Sequence, residues 1–217
     1  FVYPMARTPQ DIESFSAQLR LIEIERGLEV GHFSIIVLIE MPIAVLNALP
    51  IAQASDRVVA LLFGCEDYLA ELEGRHSARD VSLHTPRALT ALAARAAGVE
   101  PIDTPFVLDL RDAEAQRAFA NRGRDLGMSG MLTMTPRQIP VAHEVYTPAE
   151  DEVAVAEKIV KAAEQARTEG RGIVVVDGNF ISPPTLKGAQ NLLKRYQAIR
   201  DLEEKRIRQL SDEDRPF

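Results

Sequence analysis

Apolar positions along this chain alternate between two rhythms. Ser34 to Glu40 (SIIVLIE) and Val58 to Phe63 (VVALLF) are continuous runs rich in β-branched residues. Runs of this kind suit strands covered on both faces, as in a parallel sheet. Phe1 to Tyr3 reads as a strand end, Pro101 to Leu108 as a further strand, and Gly130 to Met134 as a short one before Pro136. Between them the spacing turns helical. Thr8-Pro9 opens a helix running to about Gly27, with Thr8 as cap and Pro9 at the first helical position. Apolar residues recur at helical spacing from Ala44 to Ala54, Thr85-Pro86 starts an Ala-rich helix that Gly98 stops, and Asp112 to Leu126 forms another closing at Gly127. Such alternation with short connections predicts right-handed βαβ units and an all-parallel α/β sheet, either doubly wound or closed as a barrel.

The pattern changes after Thr147-Pro148, which caps a helix from Ala149 to about Thr168. Gly170-Arg171-Gly172 serves a turn into IVVVDGNFI, whose Asp177-Gly178 step flanked by apolar residues signals a hairpin, and Pro183-Pro184 begins the last helix. From Arg200 to Arg215 both charge signs recur at helical spacing, as in a solvated helix that frays. The chain is therefore expected to divide into residues 1–147, carrying the parallel sheet, and residues 148–217, a separate cap.

Composition narrows the function classes. The 217 residues are 46% hydrophobic and 26% charged, enough apolar material for one sizeable core in a globular protein. With 25 basic and 32 acidic residues the net charge is −7, and no dense block of Lys and Arg could track a phosphate backbone, so no nucleic-acid partner is expected. The longest apolar stretches fall short of the roughly 20 residues of a membrane span, so no membrane association is expected. Cys65 stands alone, which excludes an intrachain disulfide or a cysteine-based zinc site and fits a reducing, cytoplasmic compartment. The chain opens at Phe1 directly on strand-like sequence, so further sequence is expected upstream.

In parallel α/β folds the side chains at the carboxyl ends of strands face the ligand. Two acids qualify: Glu40 ends SIIVLIE, and Asp67 lies just beyond VVALLF in the turn Gly64-Cys65-Glu66-Asp67. A carboxylate at the end of an apolar strand is costly to bury unless it is paired or holds a cation. Hard oxygen ligands without a Cys cluster or His pair point to Mg²⁺. Glu40 and Asp67 could equally be helix caps or salt-bridge partners, and Glu66 is the nearest rival for either role. His32, His76, His84 and His143 are each isolated and receive no catalytic role. Cys65 reads as a small apolar filler, since no His base stands at a recognisable offset.

Five motifs then converge: LIEMPIAVLNA (38–48), ALLFGCEDYLAEL (60–72), LAARAAGVEPIDTPF (92–106), TPRQIPVAHEVYTP (135–148) and GRGIVVVDGNFISPPTLKGAQNLL (170–193). In order and spacing they resemble the citrate lyase β-subunit-like proteins of the HpcH/HpaI aldolase superfamily, over nearly the whole chain. The resemblance implies a TIM (β/α)8 barrel with a carboxy-terminal hairpin-helix lid, assembled as trimers or hexamers. It also implies carbon-carbon lyase activity on a malyl-, citramalyl- or citryl-CoA type thioester. By the same resemblance the metal residues are Glu40 and Asp67, the cofactor is Mg²⁺, and CoA enters as part of the acyl-CoA substrate. The catalytic base is not assigned.

The departures from the family pattern are specific. The strands read here are three fewer than a TIM barrel's eight, so the first three are expected ahead of Phe1. Where relatives read GKxxIHPxQI, Met131 replaces the Lys and Thr135 the His, and Ser182 stands where relatives place an Asp before the lid helix. A hydroxyl cannot replace a carboxylate as acid or base near neutral pH. Two alternatives are therefore carried beside the lyase: a non-catalytic or accessory member that binds an acyl thioester, and a pyruvate-type class II aldolase.

Overall fold

The computed structural model describes residues 1–77, 79–170 and 174–213. Arg171 and Gly172 of the expected turn, with Ile173, lie outside the described residues, as does the end of the charged stretch from residue 214. The chain folds as two compact units, residues 1–146 and residue 147 onward.

The first unit is built on a parallel sheet of five strands lying side by side in chain order: β1 (Val2–Tyr3), β2 (Ile35–Ile39), β3 (Val58–Phe63), β4 (Glu100–Asp103) and β5 (Gly130–Met131). The order has no reversal, so these strands are singly wound, and all five carboxyl ends share one rim. Ile35, Val37 and Ile39 of β2 are fully buried while Ile36 and Leu38 are half-buried, so the expected cover on both faces is complete only in β3 from Ala60 onward. The strand expected over 101–108 ends at Asp103, and there the side chains of Asp103 and Thr104 enter buried hydrogen bonds. The one expected over 130–134 ends at Met131.

Helices α1 (Pro9–Glu25), α2 (Pro42–Leu46), α3 (Ala48–Ala52), α4 (Cys65–Leu72), α5 (Val81–Ala97), α6 (Ala113–Asp125) and α7 (Ile139–Tyr146) connect and follow the strands. The opening of α1 is as read: Pro9 is its first residue, and Asp11 Oδ2 accepts the backbone N–H groups of Arg7 and Thr8, each at 2.8 Å. The helical spacing over 44–54 resolves into the two short helices α2 and α3. The turn expected at Gly64–Asp67 is the start of α4, with Gly64 as N-cap.

Helix α5 begins at Val81, not at Thr85-Pro86, and Pro86 lies inside it. The cause is non-local. Asp80, the N-cap, is held by Arg122 from α6 at 2.8 and 2.5 Å, which fixes the start a full turn before the proline. A 3₁₀ turn at Pro136–Gln138 leads into α7, which the pattern did not signal.

The second unit comprises α8 (Glu150–Thr168), a hairpin of β6 (Val175–Val176) and β7 (Asn179–Phe180), and α9 (Pro183–Glu213). Asp177 (φ 49) and Gly178 (φ 81) both sit in the left-handed region that a two-residue hairpin turn of the primed type demands. Among the described residues, no helix is long and apolar enough to cross a membrane.

Candidate metal centre

Glu40 is the first residue past β2, on the rim of the sheet, and is 5% exposed. Its Oε1 accepts the backbone N–H of Met5 at 2.7 Å, from the loop after β1. Met5 itself adopts a left-handed φ of 54. The adjacent strand β3 ends at Phe63, and the Gly64 N–H continues the ladder by bonding the Ile39 carbonyl at 3.0 Å. A Cβ at Gly64 would meet Glu40 Cβ at 2.8 Å and Glu40 Oε2 at 3.1 Å. Glycine is therefore required here by the close passage of the Glu40 side chain over the backbone.

Helix α4 springs from Gly64 and carries Glu66 and Asp67 in its first turn. Burial pushes the Glu40 carboxyl above its ordinary range. The Met5 N–H opposes that rise, while the charge of Asp67 and a side-chain hydrogen bond with it add to it. Two like charges near enough to influence one another, one of them buried, are unfavourable without a proton or a cation between them. The donors are all hard oxygens and Asp67 opens to solvent, the combination that suits a Mg²⁺ ion retaining several waters.

The two acids singled out from strand ends are thus near enough for the charge of Asp67 to raise the Glu40 pKa. Their rival Glu66 points elsewhere, with its Oε1 at 2.6 Å from His76 Nε2. His32 packs edge-on against Phe33, and His84 and His143 lie exposed on α5 and α7. Cys65 is buried, and burial pushes its thiol up to about 12, which is unsuited to a nucleophile.

The departures from the family pattern have local partners. Met131 Sδ lies 4.0 Å from Gln116 Nε2. Thr135 precedes the 3₁₀ turn, where Gln138 Oε1 accepts the Met134 N–H at 2.7 Å, and the Thr135 hydroxyl is buried without a hydrogen-bond partner among the described residues. In the second unit, Ser182 Oγ pairs with Thr185 Oγ1 at 2.8 Å and accepts the Thr185 N–H at 3.3 Å, which caps α9.

Sequence reasoning missed a supporting network. Asp103, the last residue of β4, is completely buried, and its carboxylate accepts two hydrogen bonds from Arg87, that to Oδ1 at 2.9 Å. The same Oδ1 accepts the Thr104 N–H at 2.9 Å, and Thr104 Oγ1 in turn accepts the Cys65 N–H at 3.0 Å. The end of β4 therefore fixes the first turn of α4, and with it the residue two positions on, Asp67. Asp103 obeys the same strand-end rule that selected Glu40, so the signal was present. What the sequence hides is its partner Arg87, far enough away that only the fold joins them.

Comparison with known proteins gives a consistent picture. The model of the family described as HpcH/HpaI aldolase/citrate lyase matches residues 1–136. The chain is 32% identical over 197 residues to the citrate lyase subunit beta of Escherichia coli (strain K12), covering 89% of this chain and 64% of that protein. It is 29% identical over 214 residues to the L-malyl-CoA/beta-methylmalyl-CoA lyase of Cereibacter sphaeroides, covering 90% and 66%. Among solved structures it resembles the Mycobacterium tuberculosis protein CitE in complex with magnesium, acetoacetate and coenzyme A. There the TM-score is 0.67 and the identity 27%, with coverage of 90% of this chain and 67% of that one. The chain thus spans less than two thirds of the length of these two lyase relatives.

Proposed function

Because this chain belongs to the HpcH/HpaI aldolase/citrate lyase family, we propose that it forms part of a Mg²⁺-dependent carbon-carbon lyase acting on a short 3-hydroxyacyl-CoA thioester. The products are a 2-keto acid and acetyl-CoA or a close analogue. The whole protein would close the parallel sheet into an eight-stranded (β/α) barrel, with residues 148–217 as its lid. It would work in the cytoplasm as a homo-oligomer, a trimer or hexamer.

The observation that supports the reading is the electrostatic influence of Asp67, in the first turn of α4 just after β3, on the Glu40 carboxyl just past the adjacent strand β2. In this proposal Glu40 and Asp67 hold the Mg²⁺. When bound, the ion supplies Lewis-acid polarisation and a template for the oxygens of the keto-acid half. The Met5 N–H fixes Glu40 Oε1, leaving Oε2 on the Gly64 side to face a ligand. Gly64 keeps that side clear, and the Thr104 hydroxyl anchors the start of α4 so that Asp67 is offered from a fixed backbone. Pre-positioned groups of this kind lower the barrier by removing the need to reorganise during reaction. Full-length protein given malyl-, citramalyl- and citryl-CoA with and without Mg²⁺ tests the proposal, which fails if none is cleaved in a metal-dependent way.

A second reading, an accessory member that binds an acyl thioester without cleaving it, is favoured by one observation. Ser182, where relatives place an Asp, has its hydroxyl engaged in capping α9.

A further inference from the structure

Beside the carboxylate pair, two side chains converge on one oxygen of a third. Cys65 Sγ lies 3.4 Å from Glu66 Oε1, and His76 Nε2 lies 2.6 Å from that same oxygen. The three potential ligand atoms all fall within 4.8 Å of one another. The fold arrives at this cluster because α4 is only eight residues long and its end reverses sharply. Glu73 takes a left-handed φ of 56, the Gly74 N–H bonds back to the Leu69 carbonyl at 2.9 Å, and the chain returns so that His76 meets the first turn.

We propose that Cys65, Glu66 and His76 form a binding site for a thiophilic divalent cation of the Zn²⁺ class, distinct from the all-oxygen pair Glu40 and Asp67. One sulfur, one nitrogen and one oxygen leave the fourth tetrahedral position to water, a donor set that zinc accepts and magnesium does not. With bonds of about 2.0–2.3 Å, tetrahedral donors stand roughly 3.3–3.7 Å apart. The sulfur–oxygen separation already has this value. The nitrogen–oxygen contact must open by about 1 Å as the cation takes the place of the proton between them. Glu66 can yield that distance, since its side chain is 63% exposed, and His76 at 24% gives the ion a route from solvent. Cys65 is the fixed anchor, its backbone held by Thr104. A coordinated thiol yields its proton outright to the cation's charge, so the burial of Cys65 does not bar it as a ligand. Counting cysteines passes over such a site because the donors are of three different kinds.

The test uses Co²⁺ and Zn²⁺ as probes on the whole protein, with excess Mg²⁺ present to occupy oxygen-only sites. Wild type is expected to bind one Co²⁺ per chain with a thiolate-to-cobalt charge-transfer band in the near ultraviolet, and Zn²⁺ is expected to displace it. Cys65→Ser should abolish the band, Asp67→Asn should leave it in place, and His76→Ala should weaken Zn²⁺ binding by about tenfold or more. No band in wild type, a band that survives Cys65→Ser, or one lost in Asp67→Asn would overturn the assignment. Should Cys65→Ser fail to fold, His76→Ala, at a partly exposed position, decides: unchanged Zn²⁺ affinity in that variant refutes the site.

Discussion

Gly64 and Glu40 occupy space that only a glycine and its neighbour can share: a Cβ on the former would come within 2.8 Å of the latter's Cβ. The Gly64 φ of −111 is open to any residue, so the requirement is purely steric. Gly64→Ala must push Glu40 or the strand end aside. Forced overpacking of this kind costs about 1–3 kcal/mol, and each kcal/mol lowers the midpoint of a domain this size by about 2–4 °C. Thermal denaturation should show that loss, and Mg²⁺ affinity should fall with it. An unchanged melting temperature together with unchanged affinity would mean that Glu40 does not pass where the structure has it.

The Arg87–Asp103 pair predicts a larger effect. Removing one partner leaves a charge stranded in the interior, at a cost of about 3–5 kcal/mol. Asp103→Asn and Arg87→Met should each show this in urea denaturation. Replacing both together should recover much of the loss, because no unpaired charge then remains. Gly123→Ala belongs to the same test, since its Cβ would sit 2.1 Å from Asp103 Oδ2. A single variant of wild-type stability would contradict the network.

Acid sensitivity follows from Glu23. Arg57 grips its carboxylate through two hydrogen bonds of 2.6 Å, and the N–H groups of Phe33 and Gly31 add two more at 3.0 Å. The Arg57 bonds chiefly, helped by those backbone donors and opposed by burial, lower its pKa from 4.5 to about 2. A folded pKa below the unfolded one means stability that is fully present above pH 4.5 and is lost as pH falls toward 2. Glu23→Gln should therefore be less stable than wild type at neutral pH and should lose less stability than wild type across that acid window. Parallel stability–pH curves for the two proteins would refute the assignment.

Ser182 permits a gain-of-function test. Asp caps a helix as well as Ser does, so Ser182→Asp should leave the melting temperature of the whole protein unchanged. If the protein is the proposed lyase and the lack of a carboxylate at position 182 limits its turnover, the variant should cleave acyl-CoA faster than wild type. Ser182→Ala should lose about 1 kcal/mol of stability through the lost cap. Equal turnover in Ser182→Asp and wild type would show that the carboxylate at this position is not the limiting element.

The parts of this molecule legible in its sequence are those fixed by local pattern. SIIVLIE and VVALLF announce β2 and β3, Thr8-Pro9 opens α1, and Asp177-Gly178 makes the hairpin, since each needs only its own residues and their neighbours. The position of Glu40 and Asp67 on the carboxyl-end side of the sheet is legible because a strand end in a parallel sheet has a known direction. The start of α4 reads as a turn in the sequence because its cap is Gly64, with no side-chain acceptor to mark it. The local pattern places the start of α5 too late because Pro86 is a strong local signal, while the actual N-cap, Asp80, is held by Arg122 across 42 positions of chain. The Asp103–Arg87 pairing and the return of His76 to Glu66 were invisible for the same reason: both are created by the fold.

Calorimetric titration of Mg²⁺ into the full-length protein, in wild type and in Glu40→Gln and Asp67→Asn, puts the shared carboxylate site to the most direct trial. One ion per chain should bind to wild type, and each variant should lose affinity by about tenfold or more, by analogy with weakened metal sites, while keeping its fold by circular dichroism. Equal Mg²⁺ affinity in all three proteins, or no binding to wild type, would mean that these two acids do not share an ion.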